Sequence, residues 1–247
     1  MSAQNPDVAV PGPGRIGRAL LRMFMKQASV VQAESLAENF RLITLESPAF
    51  RELQWLPGQK IQIAMGSALV ARTYTPIEWD AVAGRTRIVA YTHGSGPGSA
   101  WIDNAKPGDA CDVFGPRASL DLGRIAGPCV VLGDETSIGL AYALNRRIGG
   151  RSEVACLLEV AREAAARAVL DRLDLDDAEL FIRCADDRHL QDMERRLHVV
   201  AAANATFVLT GRAASIQRLR RTLKGLGIPA SRIVAKAYWA EGKTGLD

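Results

Sequence analysis

The feature that most constrains this chain is a change of rhythm near residue 128. Beyond it, apolar runs of buried-strand type begin at Cys129 (CVVL), Glu153 (EVACLLEV), Glu179 (ELFIRC) and Ala205 (ATFVLT), their starts 24, 26 and 26 residues apart. Helical patterns fill the gaps. Leu190, Met193 and Leu197 share one helical face, as do Ile216, Leu219 and Leu223, and the latter helix meets Gly225 and Gly227 before Pro229. Strands alternating with helices at this interval predict βαβ crossovers and a parallel sheet, completed by a last strand over Arg232–Tyr238.

Before residue 128 the pattern differs. Short extended runs (Gln27–Gln32, Phe40–Leu45, Lys60–Met65, Ala68–Thr73, Thr86–Thr92, Ala110–Phe114) are separated by turn signals such as Leu56-Pro57-Gly58, Ala83-Gly84, Lys106-Pro107-Gly108-Asp109 and Gly115-Pro116. Many short strands with this punctuation predict a small closed or nearly closed β-barrel. The expected organisation is an N-terminal segment over 1–25, a barrel over 26–125 and a small doubly wound α/β domain over 126–247 with a C-terminal tail. Ligands of such a sheet bind at the C-terminal ends of its strands, here the crevice facing the barrel.

Gly12, Gly14 and Gly17 spell G-x-G-x-x-G after the apolar Val8–Val10, and Glu34 follows as a tempting ribose partner. The context is poor, because Pro11 and Pro13 constrain the turn and short β runs follow instead of a second βαβ unit. We read this stretch as a flexible N-terminal segment leading into a short helix, Arg15–Met25.

Composition removes several classes. A net charge of +4, with 6% aromatic residues and no basic stripe between them, does not describe a nucleic-acid reader. No apolar run approaches the ~18 residues a membrane helix needs, and prolines and glycines stand where a secretory core would begin. Cys111, Cys129, Cys156 and Cys184 contain no CxxC pair, and His93, His189 and His198 are scattered. No disulfide framework or metal site is expected, and a metal that matters enters as substrate. The default compartment is the cytoplasm; oligomeric state is unreadable.

The chemistry concentrates in two segments. Arg72-Thr73-Tyr74-Thr75 ends an extended run. On a strand Arg72 and Tyr74 point to the same side. A flavin dinucleotide needs that pairing: a guanidinium fork for its pyrophosphate, a flat partner for its isoalloxazine, and a small donor such as Thr75 near N5. Thr92-His93-Gly94-Ser95-Gly96-Pro97-Gly98-Ser99-Ala100-Trp101 follows, with Gly98 and Ser99 opening a short helix whose N–H groups suit a phosphate. The bland readings are a surface cation with a barrel aromatic, an N-cap serine, a turn histidine and a helix-packing tryptophan.

Together these motifs resemble the siderophore-interacting proteins, FAD-dependent ferric-siderophore reductases of the ferredoxin–NADP reductase superfamily. Leu56–Lys60 looks like the family's proline–glycine turn, and His93–Trp101 like its HGxxGPxSxW signature with Gly98 at a usual Ala. Phe114–Arg117 looks like its GPRG stretch, Gly133–Thr136 its GDET turn, and Tyr238-Trp239 its C-terminal YW. These lie in order over residues 27–239. The resemblance implies an FAD-binding β-barrel followed by an NAD(P)H-binding-type domain. FAD would be held by Arg72, Thr73, Tyr74, Thr75, His93, Gly94, Gly98, Ser99, Ala100 and Trp101. NADPH or NADH would dock near Gly133, Asp134, Glu135, Thr136, Ser137 and Trp239, with Arg162 a hint of NADPH. An anionic ferric siderophore would meet Lys60, Lys236 and Lys243. No acid–base triad is expected, because the flavin performs the redox chemistry. Asp134 and Glu135 would repel a phosphate set on the helix start, and Gly139 stands at a frequent Pro. A redox protein as electron donor, a general NAD(P)H:acceptor reductase and a non-catalytic siderophore- or flavin-binding protein are the alternatives.

Overall fold

The computed structural model describes residues 24–243 apart from 68–69, 95, 124, 126, 149–153 and 202–203. The Gly12–Gly17 motif and nearly all of the expected Arg15–Met25 helix therefore lie outside the described residues. Glu34 sits mid-strand and pairs with Arg172 at 3.6 Å.

An antiparallel sheet comes first. Its strands are β1 (Lys26–Ala37), β2 (Phe40–Glu46), β3 (Lys60–Ser67), β4 (Val70–Tyr74), β5 (Pro76–Asp80), β6 (Arg85–Tyr91) and β7 (Ala110–Arg117), in the order β4-β3-β7-β1-β2-β6-β5. The ladder leaves β4 and β5 as edges, so the sheet is barrel-like, in keeping with the nearly closed barrel that turn spacing suggests. Ile43, Leu45, Ile61, Ile63, Ile88 and Val113 alternate inward around Phe50. Helix α1 (Pro97–Asn104) lies between β6 and β7 in sequence. Its C-terminal carbonyls are held by Arg41, which donates to Ile102 O, Asp103 O and Ala105 O at 2.5, 2.8 and 3.0 Å. A helix end needs such donors, and these fix where its other end points.

The second sheet is wholly parallel: β8 (Cys129–Asp134), β9 (Val154–Val160), β10 (Glu179–Ile182), β11 (Thr206–Arg212) and β12 (Ile233–Trp239), in the order β10-β9-β8-β11-β12. Helices α2 (Ile138–Ile148), α3 (Glu163–Arg172), α4 (Arg188–Val200) and α5 (Ala213–Gly225) cover it. β8 explains the layering. Cys129 and Val131 face α2 and α3, whereas Val130 and Leu132 face the core built with α4 and α5. Burial on both faces is what makes CVVL a continuous apolar run.

The first of these cores does not stop at the domain boundary. Phe40, Leu42 and Ile77 of the antiparallel sheet join Ile138, Leu140 and Leu144 of α2 in one cluster. Each fully buried Leu or Ile contributes about 1.5–3 kcal/mol, enough to hold α2 and the C-terminal ends of the parallel strands against the first sheet. Strand order reverses at β8, between β9 and β11, and this switch point opens toward β4 and β6. No helix among the described residues is long and apolar enough to cross a membrane.

Candidate functional site

A cleft of about 480 Å³ lies at this junction. The antiparallel sheet contributes Arg72, Thr73, Tyr74 and Thr75 from the β4 end, Tyr91 from β6, then His93, Gly94, Gly98 and Ser99. The parallel sheet contributes Thr136, Gly139 and the run Lys236–Trp239. Lys60 and Lys243 complete it. Residues far apart in sequence thus share one space, and among the described residues its lining carries Lys60, Arg72, Lys236 and Lys243 but no carboxylate.

The Arg72 side chain lies along the start of α1. A Cβ on Gly98 would come within 2.9 Å of Arg72 Cγ and 3.4 Å of the Tyr74 hydroxyl. Glycine there lets the arginine stem pack against the first helical turn, bringing guanidinium and helix N-terminus to one locus. The first-turn N–H groups have no carbonyls of their own helix to bond, and Gly96 caps without a side chain. A dinucleotide pyrophosphate fits this combination of fork and helix start. Tyr74 supplies the flat partner; burial pushes its phenol up, against the opposing effect of Arg72. Arg72 Nη1 also donates to the Ala71 carbonyl at 2.9 Å.

The remaining predicted residues divide. Ser99 Oγ donates to His93 O at 3.0 Å and accepts from His93 N–H at 3.2 Å, so its hydroxyl closes the glycine-rich loop. Ala100 and Trp101 do not line the cleft. The Ala100 N–H is spent on Gly96 O, and Trp101 packs into the core beside Tyr74, ring centroids 6.4 Å apart. Thr75 Oγ1 lies 3.4 Å from the Tyr238 hydroxyl, which ties β12 to the first sheet. Trp239 reaches His93, with ring centroids 5.8 Å apart.

In the Gly133–Ser137 turn only Thr136 lines the cleft. Asp134 and Glu135 turn inward, 0% and 4% exposed. Asp134 caps the turn, accepting from Thr136 N–H at 2.9 Å, while Ser137 Oγ accepts from the Asp134 N–H at 3.3 Å. Glu135 accepts from Ala161 N–H at 2.6 Å and pairs with Arg183 at 2.8 Å. Both carboxylates thus point away from the cleft, Asp134 to neutral N–H and O–H donors and Glu135 to Arg183. Arg162, the hint of NADPH, pairs with Glu38 at 2.6 Å. Sequence reasoning missed Tyr91 and Arg183. Tyr91 stands two residues before His93 on an extended run, which was a readable signal; the Arg183 guanidinium reaches Trp239, at 6.0 Å from its ring, only through the fold.

Burial raises the Asp134 carboxyl from 3.8 to about 6, opposed by its hydrogen bonds from Thr136 and Trp239. The folded chain then holds this proton at higher pH than the unfolded chain. The stability tied to Asp134 is present below about pH 4 and lost as pH rises through about 6. We expect wild type to lose up to about 3 kcal/mol relative to Asp134→Asn between pH 4 and 7. Paired denaturant titrations at the two pH values check this; a pH-independent gap between the two proteins contradicts it.

Residues 62–120 match the family described as siderophore-interacting FAD-binding domain. The chain is similar to the NADPH-dependent ferric-chelate reductase of Escherichia coli (strain K12), 28% identical over 174 residues that cover 68% of this chain and 66%, just under two thirds, of that protein. The siderophore-interacting protein SipS from Aeromonas hydrophila has the same fold, with a TM-score of 0.72 and 19% identity over 89% of this chain and 93% of SipS. So does the ferredoxin reductase in carbazole 1,9a-dioxygenase, with a TM-score of 0.71 and 19% identity over 87% of this chain and 69% of that one. Over residues 62–120 the chain is thus similar to siderophore-interacting FAD-binding domains, and its fold is that of siderophore-interacting proteins and ferredoxin reductases.

Proposed function

We propose that the protein is an NAD(P)H-dependent ferric-siderophore reductase. The observation that carries this reading is the charge of the cleft: four cationic side chains and no carboxylate line it among the described residues. One pyrophosphate uses Arg72 and the start of α1. Lys60, Lys236 and Lys243 add positive charge to the same lining, on the side an anionic ferric chelate would meet. FAD supplies the redox chemistry when bound, taking hydride from NAD(P)H and releasing electrons singly. The chain's own residues do the placing: Arg72 and the α1 N–H groups hold phosphate, Tyr74 flanks the ring system, and Thr75 presents a hydroxyl at its edge. Iron reduced to Fe(II) is a softer, less charged ion that oxygen ligands grip weakly, so reduction releases it. Asp134 and Glu135 turn inward and do not line the cleft, which favours a reductase over a non-catalytic binder with a decayed nicotinamide turn. All four cysteines are thiols, which suits the cytoplasm, where NAD(P)H is regenerated.

Anaerobic mixing of the FAD-loaded protein with NADPH or NADH should bleach the flavin band, and a ferric siderophore should restore it while a ferrous chelator develops colour. Bleaching without ferrous colour would instead mark a reductase for another acceptor. Lys236→Gln combined with Lys243→Gln should raise KM for an anionic ferric siderophore about tenfold, as expected for two partly exposed charge contacts, with FAD retention unchanged. An unaltered KM removes these lysines from the substrate site.

A further inference from the structure

We infer that Cys184, His189 and Glu159 form a reactive-thiol site, at which a peroxide oxidises the Cys184 sulfur to a sulfenic acid and a small thiol then caps it as a mixed disulfide. The inference does not depend on the reductase reading, and none of these residues lines the cleft.

Cys184 lies in the turn between β10 and α4, and its Sγ is 3.4 Å from His189 Nδ1. The Cys184 N–H donates to the same Nδ1 at 3.3 Å. That nitrogen therefore offers a lone pair, and the proton of the neutral imidazole is on Nε2. Nε2 donates to Glu159 Oε2 at 2.7 Å, while Oε1 accepts from Ser215 Oγ at 2.6 Å. Arg183 and Arg212 place positive charge 3.7 and 4.0 Å from Glu159 Oε2. Nucleophile, base and a group that orients the base thus stand in line. Exposure falls along that line: Cys184 is partly exposed, His189 is 3% exposed and Glu159 1%. Its open end is the cysteine.

The start of α4 adds a second feature. Its N-cap residue Asp187 makes no side-chain cap bond, and the His189 N–H donates to Cys184 Sγ at 3.4 Å instead. Sulfur accepts weakly as a thiol and well as a thiolate, and a helix start favours the anion. One neighbour opposes it. The Cys184 hydrogen bond holds the exposed Asp186 carboxyl below its usual value, so Asp186 competes with His189 for the thiol proton. Arg188 pairs with Asp186 at 2.6 Å, and Arg212 with Asp187 at 3.3 Å. The other three cysteines are buried, and burial pushes the Cys111 and Cys156 thiols up to about 12. In the oxidation the thiol proton passes to His189 Nδ1, sulfur attacks one peroxide oxygen and the O–O bond breaks. The proton leaves with the departing hydroxide as water. Sulfur gives up an electron pair and the peroxide takes it. A small thiol then attacks the sulfenic sulfur, its proton and the sulfenic hydroxyl leave as water, and an S–S bond forms.

The test treats the full-length protein with hydrogen peroxide and dimedone, which traps sulfenic acids, and maps the adduct by mass spectrometry. In wild type Cys184 should be labelled and Cys111, Cys129 and Cys156 should not. His189→Asn, whose amide oxygen can still accept the Cys184 N–H, should slow labelling about tenfold or more. No label, label spread over all four cysteines, or a rate unchanged in His189→Asn overturns the site. Glu159 is a positioning residue here. Glu159→Gln keeps an acceptor for Nε2–H but removes the charge that steadies an imidazolium, so labelling should need a higher pH than in wild type. An unmoved pH profile removes Glu159 from the site. Should His189→Asn fail to fold, Asp186→Asn decides: losing the exposed competing carboxylate should speed labelling about two- to fivefold, and an equal or slower rate overturns the inference. With glutathione in place of dimedone, Cys184 should gain the mass of one glutathione and lose it to dithiothreitol; no such adduct overturns the capping step.

Discussion

Arg72→Ala should release FAD, raising its dissociation constant by about 10- to 150-fold, the range for losing a hydrogen bond between charged partners. Position matters here as much as charge. Gly98 leaves room for the arginine stem against the first turn of α1, so the guanidinium and the helix N–H groups converge on one anion. Arg72→Lys keeps the charge but not the fork, and should fall between the two. Flavin absorbance before and after dialysis reads the outcome directly. Alanine protein that keeps its flavin as wild type does would remove Arg72 from the site. Loss of fold would show in circular dichroism and is not expected, since Arg72 is half-buried at the cleft rim and outside the core clusters.

Gly211→Ala should strongly destabilise the parallel sheet. The residue sits at φ 99°, a conformation unfavourable to alanine, and the new methyl carbon would meet the Asp134 carboxyl group. That carboxylate cannot retreat without giving up Thr136, Arg212 or Trp239. Backbone strain and overpacking together cost about 3–5 kcal/mol, or roughly 10 °C in melting temperature for a chain of this size. Gly225→Ala is the control: at the last residue of α5, a Cβ there meets nothing within 4 Å. It should leave the melting temperature unchanged or slightly raised. Equal melting temperatures for the two variants would refute the close packing at Gly211.

Both results bear on what the amino-acid sequence made legible. The parallel sheet was readable because its strands are buried on both faces and need unbroken apolar runs, as in Cys129–Leu132. The segment proposed to hold FAD stood out because Arg72, Tyr74 and the glycine-rich stretch are local and chemically specific, and the fold brings them to one cleft. β5 was not: Pro76 looks like a break, yet it occupies the first position of an edge strand, where its missing N–H does no harm. β1 runs to Ala37, past the expected Gln32, because polar residues on its outer face hide the alternation. The turn Gly133–Ser137 was located correctly, but the direction of its side chains was not legible. Whether Asp134 faces a phosphate or an indole depends on Trp239, 105 positions away. Local charge says nothing of the tertiary partners Trp239, Arg212 and Arg183 that turn these carboxylates inward.

We propose that one cleft, built by β4, β6, α1 and the C-terminal ends of the parallel strands, holds FAD. The most direct measurement is a titration of FAD-stripped wild-type protein with FAD, followed by its absorption spectrum after removal of free cofactor. The account predicts a yellow protein carrying one FAD per chain, with uptake abolished or greatly weakened in Arg72→Ala. A correctly folded wild-type protein that stays colourless would contradict it.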